Sequence, residues 1–162
     1  MVNQIDLRRF LYLKESFGTL HWCENQGGKR RDAVAGTLRK DGYIQIKLNG
    51  KLYLAHRLIW LYMHGEWPPE EVDHRNGDRS DNRPPNLRLA SRVQNAANYR
   101  KPKTNTSGVK GVAFHKATGK WQAHIRCDNK QIYLGVFDTI EFAEVARVLA
   151  SRRYHGQFER IE

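Results

Sequence analysis

The stretch DHRNGDRSDNRPPNL, residues 73–87, crowds Asp, His and Asn side chains into one turn-rich run in which Leu87 is the only large apolar residue. A solvated loop needs fewer such groups and a core needs almost none, so the run reads as a site. Working outward, Val72 starts a strand that leads in. Asn76-Gly77-Asp78 makes a turn, and Pro84 and Pro85 keep the next segment extended or looped. NLRLA (residues 86–90) returns as a strand. SRVQ is a capping box, with Ser91 as N-cap and Gln94 three residues into a helix, so Asn95 falls in that helix's first turns. The predicted unit is strand, long loop, strand, helix. Asp73 and His74 end its first strand, Asn86 stands at the return, and Asn95 rides the helix. Adjacent strand residues point to opposite faces, so Asp73 and His74 can serve one ligand only if the strand ends or twists there.

The whole chain is long enough, at 162 residues, for one medium domain or two small ones, and 40% hydrophobic residues let it fold. Its formal net charge is +11 and its pI near 9.9. Such an excess calls for a polyanionic partner, and nucleic acid is the commonest. Cys23 and Cys127 stand far apart and form no CxxC, which argues against a zinc site and a disulfide scaffold. They read as two free or buried thiols in a reducing compartment. No apolar run approaches a membrane span and no signal peptide opens the chain, so a soluble, cytoplasmic protein with no membrane partner is expected.

RKPKTNTSG (residues 100–108), basic and broken by Pro and Gly, reads as a linker. The division it implies is residues 1–100, a linker at 101–107, and residues 108–160. The first hundred residues carry 17 Lys/Arg and 11 Asp/Glu and the rest 11 and 6, so both parts are basic. The first part opens with a short amphipathic helix around Ile5 to Leu13, followed by a short strand at GTLHW. Tyr43, Ile44, Ile46 and Leu48 precede Asn49-Gly50, and Leu52, Tyr53 and Leu54 follow, which is a hairpin with a two-residue turn. Leu58, Ile59, Leu61 and Tyr62 suit a short buried helix from Ala55 to His64, stopped by EWPPE.

The pattern VDHxNGDxxDNRPxNLRxxxxxxN, with LAHRLIW and HGEWPP before it, resembles the HNH endonucleases over residues 17–99, most closely the homing-type enzymes of phages and mobile elements whose last motif residue is Asn. The resemblance implies a ββα-metal fold and hydrolysis of DNA phosphodiesters. It assigns His74 as general base, since an imidazole with a pKa near 6.5 can take a proton from water. Asn86 would orient that imidazole. Asp73 and the Asn95 carbonyl would hold one divalent ion per site, and oxygen ligands suit Mg²⁺ or Mn²⁺. Asn98, one turn on, is a rival ligand, and Asn82 reads equally well as an ordinary turn residue. A calcium loop on Asp73, Asp78 and Asp81 fails the EF-hand pattern, with Gly77 one place early and no Glu at the twelfth position. His56 reads as a satisfied structural histidine, His21 and His64 as structural or surface, and Arg57 as a residue that can reach a phosphate.

Beyond residue 108 the runs alternate. Trp121, Ala123 and Ile125 oppose Gln122, His124 and Arg126, and Ile132 and Leu134 oppose Gln131 and Tyr133. This predicts a three-stranded antiparallel sheet with one apolar face. Phe142, Val145, Ala146, Leu149 and Ala150 recur at helical spacing, with Thr139 as N-cap, so the helix would cover that face. GVxxxKxxGKWxAxI, LGxFDTxExA and HGxF resemble the AP2 DNA-binding domain over residues 107–158. That family lays its sheet in the major groove, which points to Lys110, His115, Lys116, Lys120, Gln122, His124, Arg126, Gln131 and Tyr133 as DNA-binding residues. The face departs from the plant pattern, which is richer in Arg and Trp, so base preference does not transfer.

The expectation is therefore an α+β chain: a ββα-metal nuclease domain followed by a three-stranded sheet with one helix. It would be a metal-dependent endonuclease acting on double-stranded DNA, cutting one strand per site and showing no strong dimer signal. The rival readings are a non-catalytic DNA-binding regulator and an RNA-binding module, and the latter lacks a recognisable stacking platform.

Overall fold

The computed structural model describes residues 1–25, 28–97, 105–128 and 130–158. Asn98, the rival ligand, lies outside the described residues, as do positions 101–104 of the linker. The chain divides into two compact units, Met1–Ala90 and Ser91–Glu162.

In the first unit, α1 (Gln4–Phe10) is capped by Asn3, whose side chain accepts from the Asp6 N–H at 2.8 Å. The helix ends three residues earlier than the apolar spacing predicts. Leu11 is already extended, and β1 (Leu11–Lys14) pairs with β2 (Thr19–Trp22), setting Leu11 opposite Trp22. Strand pairing across the intervening turn satisfies the backbone of LYLK and buries Leu11 and Leu20 fully, so it outweighs continued helix. Next come β3 (Thr37–Leu38), β4 (Ile44–Leu48) and β5 (Lys51–Leu54) in one antiparallel sheet. Asn49 and Gly50 turn the β4–β5 hairpin at φ of 48° and 77°, the left-handed pair such a turn requires.

Helix α2 (Ala55–His64) follows β5 directly and ends on Gly65, whose φ of 83° lets its N–H reach the Leu61 carbonyl at 3.0 Å. The stop thus comes just before the EWPPE run. The helix drives Leu58, Ile59 and Leu61 into the core, each about 1.5–3 kcal/mol of apolar burial. With them pack Leu7, Trp22, Ile46, Leu48, Val72 and Leu87. Against this core lies the hairpin of β6 (Glu71–His74) and β7 (Leu87–Ala90), with Asp73 opposite Arg88 and His74 opposite Leu87. A 3₁₀ turn (Pro84–Asn86) leads into β7.

The second unit opens with α3 (Arg92–Ala97), then β8 (Val112–His115), β9 (Lys120–Cys127) and β10 (Lys130–Phe137) in the order β10-β9-β8, and α4 (Ile140–Tyr154). The pairing of β10 with β9 slips between Tyr133 and Gly135, which leaves Leu134 on a bulge. Thr139 caps α4 as expected. The face that α4 buries is not the expected one. Ala143, Arg147, Ala150 and Ser151 are buried, whereas Phe142, Val145 and Leu149 are more than half exposed. Small side chains let the helix sit close to the sheet, and Gly111 makes room where a β-carbon would stand 2.7 Å from Arg147 Nε. The apolar floor is correspondingly small: Val112, Ala123 and Ala143, with Trp121, Leu134 and Phe137 around them.

No helix among the described residues is long and apolar enough to cross a membrane.

Candidate active site

The long loop between β6 and β7 is built from its own polar side chains. Asn86 accepts from the Asn76 N–H at 3.0 Å, and its amide donates to Asn76 Oδ1 at 3.0 Å and to the Asp81 carbonyl at 2.7 Å. Asp81 in turn accepts from Asn76 Nδ2 at 2.8 Å and takes both prongs of Arg83, at 2.7 and 2.6 Å. The Arg83 hydrogen bond draws the Asp81 carboxyl down to about 2. Asp78 accepts from the backbone and hydroxyl of Ser80, which lowers its carboxyl as well. Much of the Asp and Asn crowding therefore serves to hold the loop, since a long excursion from a two-stranded hairpin has little else to order it.

What the loop delivers is Asn82. This side chain is only 1% exposed, and its Oδ1 stands 3.0 Å from His74 Nε2. Its Nδ2 donates to the Ser80 carbonyl at 3.2 Å, which turns the amide so that oxygen faces the imidazole. An amide oxygen only accepts, so Nε2 carries the hydrogen and Nδ1 holds the lone pair. The contact to the imidazole expected of Asn86 is made by Asn82, and the Asn86 side chain bonds within the loop instead. Asn82 and Asn86 are both turn-prone amides of one run, and nothing local separates them. Only its burial distinguishes Asn82.

Strand β6 ends at His74, and the chain turns at once, with the Gly77 N–H on the His74 carbonyl at 2.8 Å. The strand thus stops where the sequence reading requires it to. Asp73 and His74 are both buried, at 5% and 3% exposure. Desolvation lowers the His74 pKa, opposed by the Asn82 bond and by the charges of Asp73, Asp78 and Asp81. Asp73 faces Arg88 across the hairpin, and both Nε and Nη2 of Arg88 reach Asp73 Oδ2, at 2.9 and 2.8 Å. Sequence reading did not single out Arg88, which holds the Asp73 carboxylate. Position opposite Asp73 in the register is its only signal.

His56, in the first turn of α2, packs against this centre, and its Nδ1 is buried with no hydrogen-bond partner among the described residues. The expectation of a satisfied histidine is therefore corrected. His21 is the satisfied one, bonded to Thr19 and to the Asp32 carbonyl. Arg57 lies next to His56 in sequence but stands near the Trp67 ring, 6.0 Å from its centroid.

In the second unit the expected capping box is present: the Ser91 N–H donates to Gln94 Oε1 at 2.8 Å and the Gln94 N–H to Ser91 Oγ at 3.3 Å. Asn95 sits on α3 behind that cap, half-buried, its N–H on the Ser91 carbonyl. Lys110, in the turn before β8, lines one cavity of about 430 Å³ with His124 and Arg126 of β9, Gln131 of β10 and Arg147 of α4. Tyr133 packs on His124 with ring centroids 5.3 Å apart. His115, Lys116 and Lys120 gather instead at the β8–β9 turn, where His115 bonds Thr118 at 2.9 Å and Lys120 pairs with Asp138 at 2.9 Å. Gln122 lies between the two groups on β9 and is half-buried. Among the described residues no three of His, Cys, Asp and Glu come together to hold a metal. A metal here would rest on hard oxygen donors, of which the buried Asp73 carboxylate is the anionic one, and that chemistry suits a small divalent ion completed by water and phosphate.

Comparison with known proteins places these features. A family model described as HNH endonuclease matches residues 53–97, the segment from β5 through α3. With the hairpin, its buried Asp-His pair and the stapled loop, the chain belongs to the HNH endonuclease family. Protein 3.8 of Escherichia phage T7 is 35% identical over 108 residues, which cover 65% of this chain and 88% of that protein. APETALA2-like protein 2 of Oryza sativa is 40% identical over 57 residues, 35% of this chain but only 13% of the plant protein. The AP2-like ethylene-responsive transcription factor TOE2 of Arabidopsis thaliana matches at the same identity and spans 12% on its side. The chain thus covers about an eighth of the plant relatives. A solved structure titled "DNA binding and cleavage by the HNH homing endonuclease I-HmuI" aligns over 54% of this chain and 49% of that chain, at 23% identity and a TM-score of 0.41.

Proposed function

We propose that this protein is a divalent-metal-dependent DNA endonuclease that hydrolyses one strand at each site, and that its second unit supplies the address. The observation that carries the reading is the buried His74, held through Nε2 by Asn82 at the end of β6 beside Asp73. In that tautomer the Nδ1 lone pair takes a proton from water. The oxygen then bonds to phosphorus, the ester bond to the leaving oxygen breaks, and that oxygen is protonated from solvent. Burial keeps His74 neutral near neutral pH, so it is ready to accept. As it becomes imidazolium, the Asn82 bond strengthens and the Asp73, Asp78 and Asp81 charges offset the desolvation. Asp73 and Asn95 would hold Mg²⁺ or Mn²⁺, one ion per site, a pairing that rests on their spacing in the sequence. Such an ion neutralises charge gathering on the phosphate. Arg88, with both contacts on Oδ2, fixes the carboxylate's direction.

For the second unit, the open face of the sheet collects basic and amide side chains of the kind that meet phosphates and base edges. Lys110, His124, Arg126, Gln131 and Tyr133 would form its reading surface, with Gln122 between, and with His115, Lys116 and Lys120 at the turn, while Arg57 would contact backbone phosphate from the first unit. The protein would act as a monomer, nicking rather than cutting both strands.

Conversion of supercoiled plasmid to open circle tests this. Nicking should need Mg²⁺ or Mn²⁺, stop in chelator and fail in Asp73→Ala. Activity that persists in excess chelator contradicts the metal-dependent reading. Binding of duplex with no nicking under any metal would leave a DNA-binding regulator instead.

A further inference from the structure

A second histidine stands against the one assigned to proton transfer. His56 is 5% exposed, and its ring meets that of His74 edge-on, with centroids 5.1 Å apart and planes at 77°. Tyr43 completes the cluster, 5.2 Å from His56 and 6.0 Å from His74. The Arg79 guanidinium lies 4.7 Å from the Tyr43 ring centre, tied by Nη1 to the Asp41 carbonyl at 2.9 Å. Within this cluster His56 Nδ1 is buried and has no hydrogen-bond partner among the described residues.

A buried polar atom left this way carries a desolvation cost that nothing repays. Packing alone gives no reason to keep it, because an aliphatic side chain would fill the same place more cheaply. Such atoms are satisfied by ordered water that shares two to four polar partners. The imidazole of His74 is the His56 ring's polar neighbour, edge-on with centres 5.1 Å apart. Burial holds His56 down to about 3, helped by the His74 and Arg57 charges, so it stays neutral near pH 7. It neither competes for the proton nor repels an imidazolium. It offers a neutral hydrogen-bonding nitrogen beside the base and nothing more.

We propose that His56 is a positioning residue of the hydrolytic site: its Nδ1 holds an ordered water against the His74 imidazole, where the attacking water gives up its proton. The water's proton goes to His74 and its oxygen to phosphorus, and His56 gains and loses no proton in the step. The inference rests on the endonuclease reading for the identity of that water as the nucleophile.

Three substitutions in the full chain separate position from packing. His56→Asn keeps a polar group near Nδ1, His56→Gln moves it toward Nε2, and His56→Leu fills the volume without it. Single-turnover nicking, duplex affinity and Tm are measured on each. His56→Leu should nick about tenfold slower or worse, with duplex affinity within about twofold and Tm unchanged or higher, and His56→Asn should recover most of the rate. Wild-type rate in His56→Leu, or equal loss in His56→Asn and His56→Leu, overturns the proposal. If His56→Leu does not fold, His56→Asn against His56→Gln decides: a faster His56→Asn supports it, equal rates overturn it. Metal-free protein gives a readout independent of cutting. Its NMR spectrum should show a long-lived water in contact with the His56 ring, lost in His56→Leu. Absence of that water in the wild type overturns the proposal. Failure of the endonuclease reading shows differently, as a wild-type protein that cuts nothing with either metal.

Discussion

Replacing Asn82 by Ala removes the acceptor that holds His74 Nε2 at 3.0 Å. In the resting site that bond joins two neutral groups and is worth about 1 kcal/mol net, whereas a bond to a charged partner is worth about 1.5–3 kcal/mol. The difference, about 0.5–2 kcal/mol, is realised only as the imidazole takes up charge, so the rate should fall about 2- to 30-fold. Duplex affinity should hold, because Asn82 is 1% exposed and cannot reach substrate. The pH profile should move as well. The base works when neutral, that is, above its pKa, and the Asn82 bond raises that pKa against desolvation. Removing the bond lowers it further, so the acid limb of the rate should shift to lower pH even as the plateau drops. Single-turnover nicking from about pH 5 to about pH 8, beside duplex affinity, reads both effects. A wild-type plateau, or an acid limb that moves upward, refutes the assignment of Asn82 as orienter. Asn86→Ala is the control: it breaks three bonds of the loop staple and should lower Tm more than Asn82→Ala does.

Gly18 turns the β1–β2 hairpin at a φ of 64°, and a β-carbon there would overlap the backbone of Asn82 and Arg83. Gly18→Ala should therefore lose about 1–3 kcal/mol of stability and also slow nicking, measured by denaturant melts and plasmid conversion. Arg88→Ala strips the guanidinium from a carboxylate that is 6% exposed, and should cost about 3–5 kcal/mol, a fall in Tm on the order of 10 °C or more. Mn²⁺ should recover part of that loss in a thermal-shift titration if Asp73 takes a metal. Arg126→Ala should weaken target binding by about 1–3 kcal/mol if it reads a guanine, and should otherwise weaken all sequences alike and flatten the salt slope by about one. Binding to target and scrambled duplexes across a salt series distinguishes the two.

Where local rules act alone, the sequence was legible. Asn49-Gly50 turns the hairpin, α2 spans the expected residues, and Ser91 and Gln94 form their reciprocal cap, because each depends on neighbours within a few positions. Competition between distant segments was not legible. Residues 11–13 fit a helical spacing, yet pairing with β2 claims them. The apolar residues of α4 mark a face at helical spacing, yet the helix buries Ala143, Arg147, Ala150 and Ser151 instead. At the site, the types and positions of Asp73 and His74 were clear. The choice between Asn82 and Asn86 was not, because both are turn-prone amides in one loop and spacing cannot say which of them folds inward. Arg88 and His56 reach the site through strand register and helix packing, which no local pattern encodes.

The central claim is that His74 is the base of a phosphodiester hydrolase, and an end-labelled duplex run on a denaturing gel tests it most directly. Wild-type protein with Mg²⁺ or Mn²⁺ should yield a cut in one strand. His74→Ala should bind the same duplex with nearly equal affinity yet cut about a hundredfold more slowly or not at all. Cutting by His74→Ala at the wild-type rate would remove the imidazole from the mechanism and contradict the account.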